Sequence, residues 1–163
     1  MSDVTPELSA VKLLKKAKVT IATAESCTGG LLAGTLINVP GASDVFDEGF
    51  ITYSNKAKRK YLGVKKKTLK NHGAVSIETA KEMAEGVAAK SGADVGLATT
   101  GIAGPDGGTE EKPVGLVYIG CYYNGKTRVR ECCFKGTRLQ VRWQSVSEAI
   151  ELLCLCLKEN KKK

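Results

Sequence analysis

The chain has 163 residues, 42% of them hydrophobic and 26% charged, and carries a formal net charge of +8. That length suits one ordinary globular domain, whereas no apolar run approaches the roughly 20 residues needed to cross a bilayer. The positive excess is concentrated in a tail with Lys158, Lys161, Lys162 and Lys163 and in a cluster, Lys65 to Lys67, that reads as a loop. With aromatics at 6% and no recognisable nucleic-acid module, a nucleic-acid partner is not expected, although a basic surface would draw in phosphorylated small molecules.

The amino terminus, Met1 to Glu7, is acidic and polar where a secretory signal would be basic and then apolar, so residence in the cytoplasm is expected. The six cysteines match neither a disulfide framework nor zinc spacing, and all but Cys27 read as buried thiols.

In chain order, Leu8, Val11, Leu13 and Leu14 recur at helical spacing over Glu7 to Lys16, and Val19 to Ala24 is a short strand. Gly29 and Gly30 open a helix from Leu31 to Val39, closed by Pro40 and Gly41. Phe50 to Tyr53 has strand character and Asn55 to Leu62 is helix-compatible. Ser76 is placed to cap a longer helix through Ile77, Ala80, Ala84 and Val87, with His72 in the loop before it.

Ala93 to Thr100 is a buried-type strand, followed by an irregular glycine and proline stretch to Pro113. Val114 to Tyr123 and Thr127 to Phe134 form an antiparallel pair across Asn124-Gly125. Leu139, Trp143, Val146, Ile150, Leu153 and Leu157 form one stripe of a terminal helix that should pack on the sheet. The sum is an α/β fold: a single-domain three-layer sandwich with a mixed sheet and helices on both faces, its core spanning about 7–157 and a basic tail at 158–163.

Three segments carry possible chemistry. Ala24-Glu25-Ser26-Cys27-Thr28-Gly29-Gly30 places small polar side chains where a strand ends and a helix begins. Amides at a helix start favour an anion or a developing oxyanion, and Ser26, Cys27 or Thr28 could be a nucleophile; Ser26 or Thr28 could equally be a helix cap.

The only histidine, His72, makes a Ser-His-Asp arrangement improbable and leaves lysine as the next candidate base. A lysine acts as a base when burial or nearby positive charge lowers its pKa, and Lys58 is carried by a helix back toward the sheet edge. Thr99 to Gly108 follows a strand with four glycines that let backbone amides approach phosphate or sugar oxygens, without the lysine of a Walker loop. Arg142 borders the buried stripe of the terminal helix and could reach a phosphate.

Together Ala24 to Gly30, Tyr53-Ser54-Asn55 with Lys58, His72 to Ser76, Thr100 to Pro105 and Glu111 to Gly115 resemble the CinA C-terminal domain family of nicotinamide-nucleotide amidases, in order and spacing from about Val19 to Leu153. The resemblance implies hydrolysis of nicotinamide mononucleotide to nicotinic acid mononucleotide and ammonia, with no metal and no cofactor. It implies Ser26 as nucleophile, Lys58 as its base and Tyr53 beside them as catalytic residues. Substrate contacts fall on Cys27, Thr28, Gly29, Gly30, Thr100, Gly101 and Gly104, with Arg142 on the 5′-phosphate.

It further implies self-association as a dimer or higher. Many members carry a second domain ahead of this one, so a pyrophosphatase activity tied to that domain is not expected here. Two positions depart from the family pattern: Lys56 stands where an acid is expected and adds positive charge near Lys58, and Thr137 replaces an aspartate before Arg138.

Overall fold

A computed structural model describes residues 4–160. Helix α1 (Pro6–Ala17) is capped by the Thr5 hydroxyl and leads into β1 (Ile21–Glu25), α2 (Leu31–Ile37), a 3-10 turn (Ala42–Asp44) and β2 (Phe46–Ile51). Next come α3 (Asn55–Leu62), α4 (Lys66–His72), α5 (Ile77–Ser91) and β3 (Val95–Gly101). The hairpin β4 (Leu116–Tyr123) and β5 (Lys126–Cys133) precedes the long α6 (Arg138–Glu159).

The five strands form one mixed sheet in the order β2-β1-β3-β4-β5. The first three are mutually parallel and the hairpin is antiparallel. On one face α1, α2 and α6 enclose a core that includes Leu14, Leu32, Ile119, Ile150 and Leu153. On the other, α5 with α3 and α4 covers Ala22, Ala24 and Ala98 through Met83, Ala84, Val87 and Leu62. These are the two helical layers expected of the α/β sandwich.

Local chemistry explains the boundaries. Ser76 caps α5 by accepting from the Thr79 amide. Thr137 and Gln140 form a reciprocal capping box at the start of α6, so the threonine at the departure site does what a short acidic side chain would do there. Asn124 and Gly125 both take positive φ in the hairpin turn, as a tight turn matched to strand twist requires.

Four expectations are corrected. Lys65 to Lys67 are not a loop: Lys65 stands at the N-cap position of α4 without a side-chain cap and the next two lysines begin the helix, whose short, lysine-rich segment has no apolar period to reveal it. β2 begins at Phe46 and ends before Thr52. The α6 stripe is buried only from Val146 onward: the first turns pack through Val141 and Ser145 instead, which leaves Leu139 54% and Trp143 46% exposed. Of the cysteines, all free, Cys133 is exposed on the edge strand and Cys132 and Cys154 are half-buried.

Candidate active site

The parallel strands β2, β1 and β3 end along one edge of the sheet. Tyr53 after β2, Ser26-Cys27 after β1 and the last two residues of β3, Thr100-Gly101, converge on a cleft of about 270 Å³. Ligand sites form where parallel strands end, because chain there leaves the sheet with its backbone and side chains free to converge.

Lys58 enters from α3. Ser54 caps this helix through the Ala57 amide, and one turn later the Lys58 side chain runs inward until the residue is only 1% exposed. Its Nζ lies 3.0 Å from Ser26 Oγ, 2.8 Å from the Thr52 carbonyl and 3.2 Å from the Tyr53 carbonyl.

Among the described residues no carboxylate pairs with Lys58. Burial accordingly lowers its pKa from 10.5 to about 8, with the Cys27 sulfur as the opposing influence. Lys56 has no part in this: its side chain is exposed in the first turn of α3. A neutral Lys58 amine has two N–H groups for the two carbonyls and one lone pair left for the Ser26 hydroxyl proton.

Cys27, also in the cleft, is the poorer candidate for a nucleophile. Burial pushes its thiol up to about 11, partly offset by a hydrogen bond from its own backbone, so it stays protonated at neutral pH.

Behind Ser26 the chain turns through Gly29 and Gly30, both at positive φ, into α2. α2 has no side-chain cap of its own at Gly30, and the buried Glu25 takes that role. Glu25 accepts from the amides of Leu32 (2.8 Å) and Ala33 (3.0 Å) and from Thr28 Oγ1 (2.6 Å), which also contacts Thr99 Oγ1 at 2.7 Å. The helix start that the sequence offers to a ligand anion is therefore filled by the protein's own carboxylate.

Of the residues expected at the site, Ser26, Cys27, Tyr53, Lys58, Thr100, Gly101 and Gly104 line the cleft. Thr28, Gly29, Gly30 and Arg142 do not; they form the support beneath Ser26. Arg142 donates from Nε to the Cys27 carbonyl and from Nη2 to the Thr28 carbonyl, each at 3.0 Å. Thr100 Oγ1 donates to the Ala74 carbonyl, fastening the loop before α5 to the cleft wall.

Arg138 was missed by the sequence reading. It lines the cleft while donating to the Gly104 carbonyl (2.7 Å) and to Tyr53 Oη (3.1 Å). Its signal is positional: a cation in the first turn of a helix opposes the macrodipole, so something other than helix stability places it there. Among the described residues no group of three or more His, Cys, Asp or Glu is placed to hold a metal ion, and no helix is long and apolar enough to cross a membrane.

The sequence matches the model of the CinA C-terminal domain over residues 4–157. The chain belongs to this family. A relative from Clostridium novyi (strain NT), carrying the name competence-damage inducible protein, is 58% identical over 151 residues, 93% of this chain and 36% of the relative. The chain thus spans little more than a third of the length of the curated relatives it matches.

Among solved structures, the competence/damage inducible protein CihA from Agrobacterium tumefaciens superposes with a TM-score of 0.89 at 43% identity, covering 94% of this chain and 95% of that one. A competence or damage-inducible protein from Enterobacter asburiae does so at 0.89 and 31% identity, covering 94% and 98%. The α/β sandwich is the CinA fold.

Proposed function

We propose that this CinA domain is an amidase that hydrolyses nicotinamide mononucleotide to nicotinic acid mononucleotide and ammonia through Ser26 and Lys58. The observation that carries the reading is the buried contact between Lys58 Nζ and Ser26 Oγ, made by a lysine with no carboxylate partner among the described residues. The substrate comes from the family resemblance.

In this reaction the neutral Lys58 amine takes the Ser26 proton as Oγ attacks the carboxamide carbon. Backbone amides in the turn after Ser26 stabilise the oxyanion. The Gly29 amide is not one of them, being bonded to the Ser26 carbonyl, which leaves Cys27, the turn residue that lines the cleft, as the nearest donor. The Lys58 ammonium returns its proton to the leaving nitrogen, and ammonia departs from the acyl-enzyme. Water then attacks the ester, again giving a proton to Lys58, and Ser26 is released with the carboxylate product.

Arg138 is better placed than Arg142 to meet the 5′-phosphate, because it lines the cleft whereas Arg142 is committed to two backbone carbonyls. Tyr53, 63% exposed at the cleft mouth, contributes its carbonyl to Lys58 and its hydroxyl to Arg138. The same reading carries residence in the cytoplasm and self-association, for which the exposed Leu139 and Trp143 of α6 offer an apolar surface.

The test is ammonia release from nicotinamide mononucleotide by the purified chain in the presence of a chelator, beside Ser26→Ala and Lys58→Ala. Turnover by the parent and its loss in both folded variants would support the reaction and its dyad. Binding without turnover by the parent would reduce the chain to a nucleotide-binding module.

A further inference from the structure

At the end of α6 far from the cleft, a second cavity of about 240 Å³ opens between the helix and the hairpin. Its sheet side is Tyr123 of β4 with Lys126 and Arg128 of β5, and its helix side is Cys156, Glu159 and Asn160. Arg128 pairs with Glu159 at 2.7 Å across the gap, holding the two elements together.

Strand register places a second thiol here. Cys121 is directly opposite Arg128, and Tyr123 is opposite Lys126, so in an antiparallel pair all four side chains lie on the face that α6 covers. Cys121 and Cys156 accordingly belong to the same buried core cluster, at 1% and 7% exposure. Their thiols are within hydrogen-bond contact of each other. Cys121 lies beneath the cavity wall, whereas Cys156 lines the cavity itself.

The environments of the two sulfurs differ. The hydrogen bond from Cys121 and the Arg128 guanidinium hold the Cys156 thiol below its usual range against the opposing effect of burial. The same contact, with burial, pushes Cys121 well above. Cys156 is the sulfur that the cavity reaches, and Cys121 stands behind it in the core.

We propose that Cys156 and Cys121 form a dithiol oxidation site, separate from the amidase cleft, that hydrogen peroxide converts to an internal disulfide. The Cys156 thiolate attacks one peroxide oxygen, the O–O bond breaks, and the released hydroxide takes a proton to become water, leaving Cys156 as a sulfenic acid. The Cys121 sulfur then displaces the sulfenic hydroxyl, which leaves with the thiol proton as a second water. Two thiols are oxidised by two electrons, and one peroxide is reduced to two waters. A molecule the size of peroxide fits the cavity, and the Arg128 cation beside Cys156 supports the attacking anion.

The exposed Cys133 provides the internal control, since an unselective oxidant would mark it first. The full chain is treated with near-stoichiometric hydrogen peroxide, alkylated under denaturing conditions, digested, and mapped by mass spectrometry with fragmentation that separates Cys156 from Cys154. The expected product is a linked Cys121–Cys156 pair two hydrogens lighter than the dithiol, forming before Cys133 is consumed. In Cys121→Ser the sulfenic acid at Cys156 persists and is trapped by dimedone, and Arg128→Gln slows disulfide formation several-fold. Recovery of both cysteines as free thiols while Cys133 is oxidised, or scrambled linkages without preference, would overturn the proposal on the unmodified chain alone.

Discussion

Arg142 and Cys27, 115 positions apart in sequence, are joined by a hydrogen bond from the Arg142 guanidinium to the Cys27 carbonyl, and a second bond runs to the carbonyl of Thr28. Helix α6 thereby holds the turn that presents Ser26. A Cβ at Gly29 would come within 3.3 Å of the same guanidinium, so there is little room for the turn to move.

This relationship separates positioning from substrate binding. Arg142→Ala is expected to lower kcat by about one to two orders of magnitude with a small change in KM, because a displaced nucleophile costs rate even where the substrate still binds. Arg138→Ala is expected to act chiefly on KM. Steady-state kinetics on the two variants checks both, and a rise in KM alone for Arg142→Ala would return that residue to the phosphate.

Lys58 makes both activity and stability depend on pH. In the proposed mechanism the neutral amine is the base, so kcat/KM is expected to rise with pH through about 8 and then level off. For stability the sign is the opposite of a salt-bridged lysine. The folded pKa is lowered, so between about 8 and 10.5 the unfolded chain binds a proton that the folded chain does not, and stability rises across that window. A displacement of this size is worth about 3 kcal/mol at order of magnitude, all of it a penalty below pH 8. Lys58→Met should be inactive, more stable than the parent at pH 7, and without that slope in urea melts taken from pH 7.5 to 10.

Glu25 accepts three hydrogen bonds in the core, two of them from helix amides. Glu25→Gln turns an NH2 group toward one of those donors and is expected to destabilise the fold by about 2–3 kcal/mol. Urea denaturation gives the value; a loss below about 0.5 kcal/mol would mean that the carboxylate is not what holds α2.

Gly86 on α5 lies against the Leu62 carbonyl at the end of α3, where an added Cβ would collide with backbone. Gly86→Ala is expected to push α3 outward and with it Lys58, so turnover should fall by more than the loss of stability explains. Comparing Tm with kcat for this variant and for Gly92→Ala, whose Cβ would meet nothing but whose positive φ is strained, distinguishes displaced chemistry from general strain.

Much of the fold was legible because local chemistry and tertiary packing agree. Asn124-Gly125 announced the hairpin, Ser76 announced α5, and the stripe from Val146 to Leu157 announced the buried face of α6. α4 was hidden because a run of lysines has no apolar period. At the site, the strand-to-glycine turn at Ser26 was readable from residues alone, but its partnership with Lys58 came through resemblance, since nothing local ties positions 32 residues apart. From residues alone, neither the capping of α2 by Glu25 nor the hold of Arg142 on the Ser26 turn can be read. Both roles depend on contacts across the fold that periodicity does not encode.

The carboxylate beneath α2 also bears on how the cleft could be inhibited. A compound carrying an acid aimed at the glycine turn would compete with a ligand that is covalently part of the chain and cannot be diluted away. Compounds that present a neutral electrophile to Ser26 and place their anion on the opposite bank, at Arg138, avoid that contest. Screening collections for this cleft should be weighted accordingly.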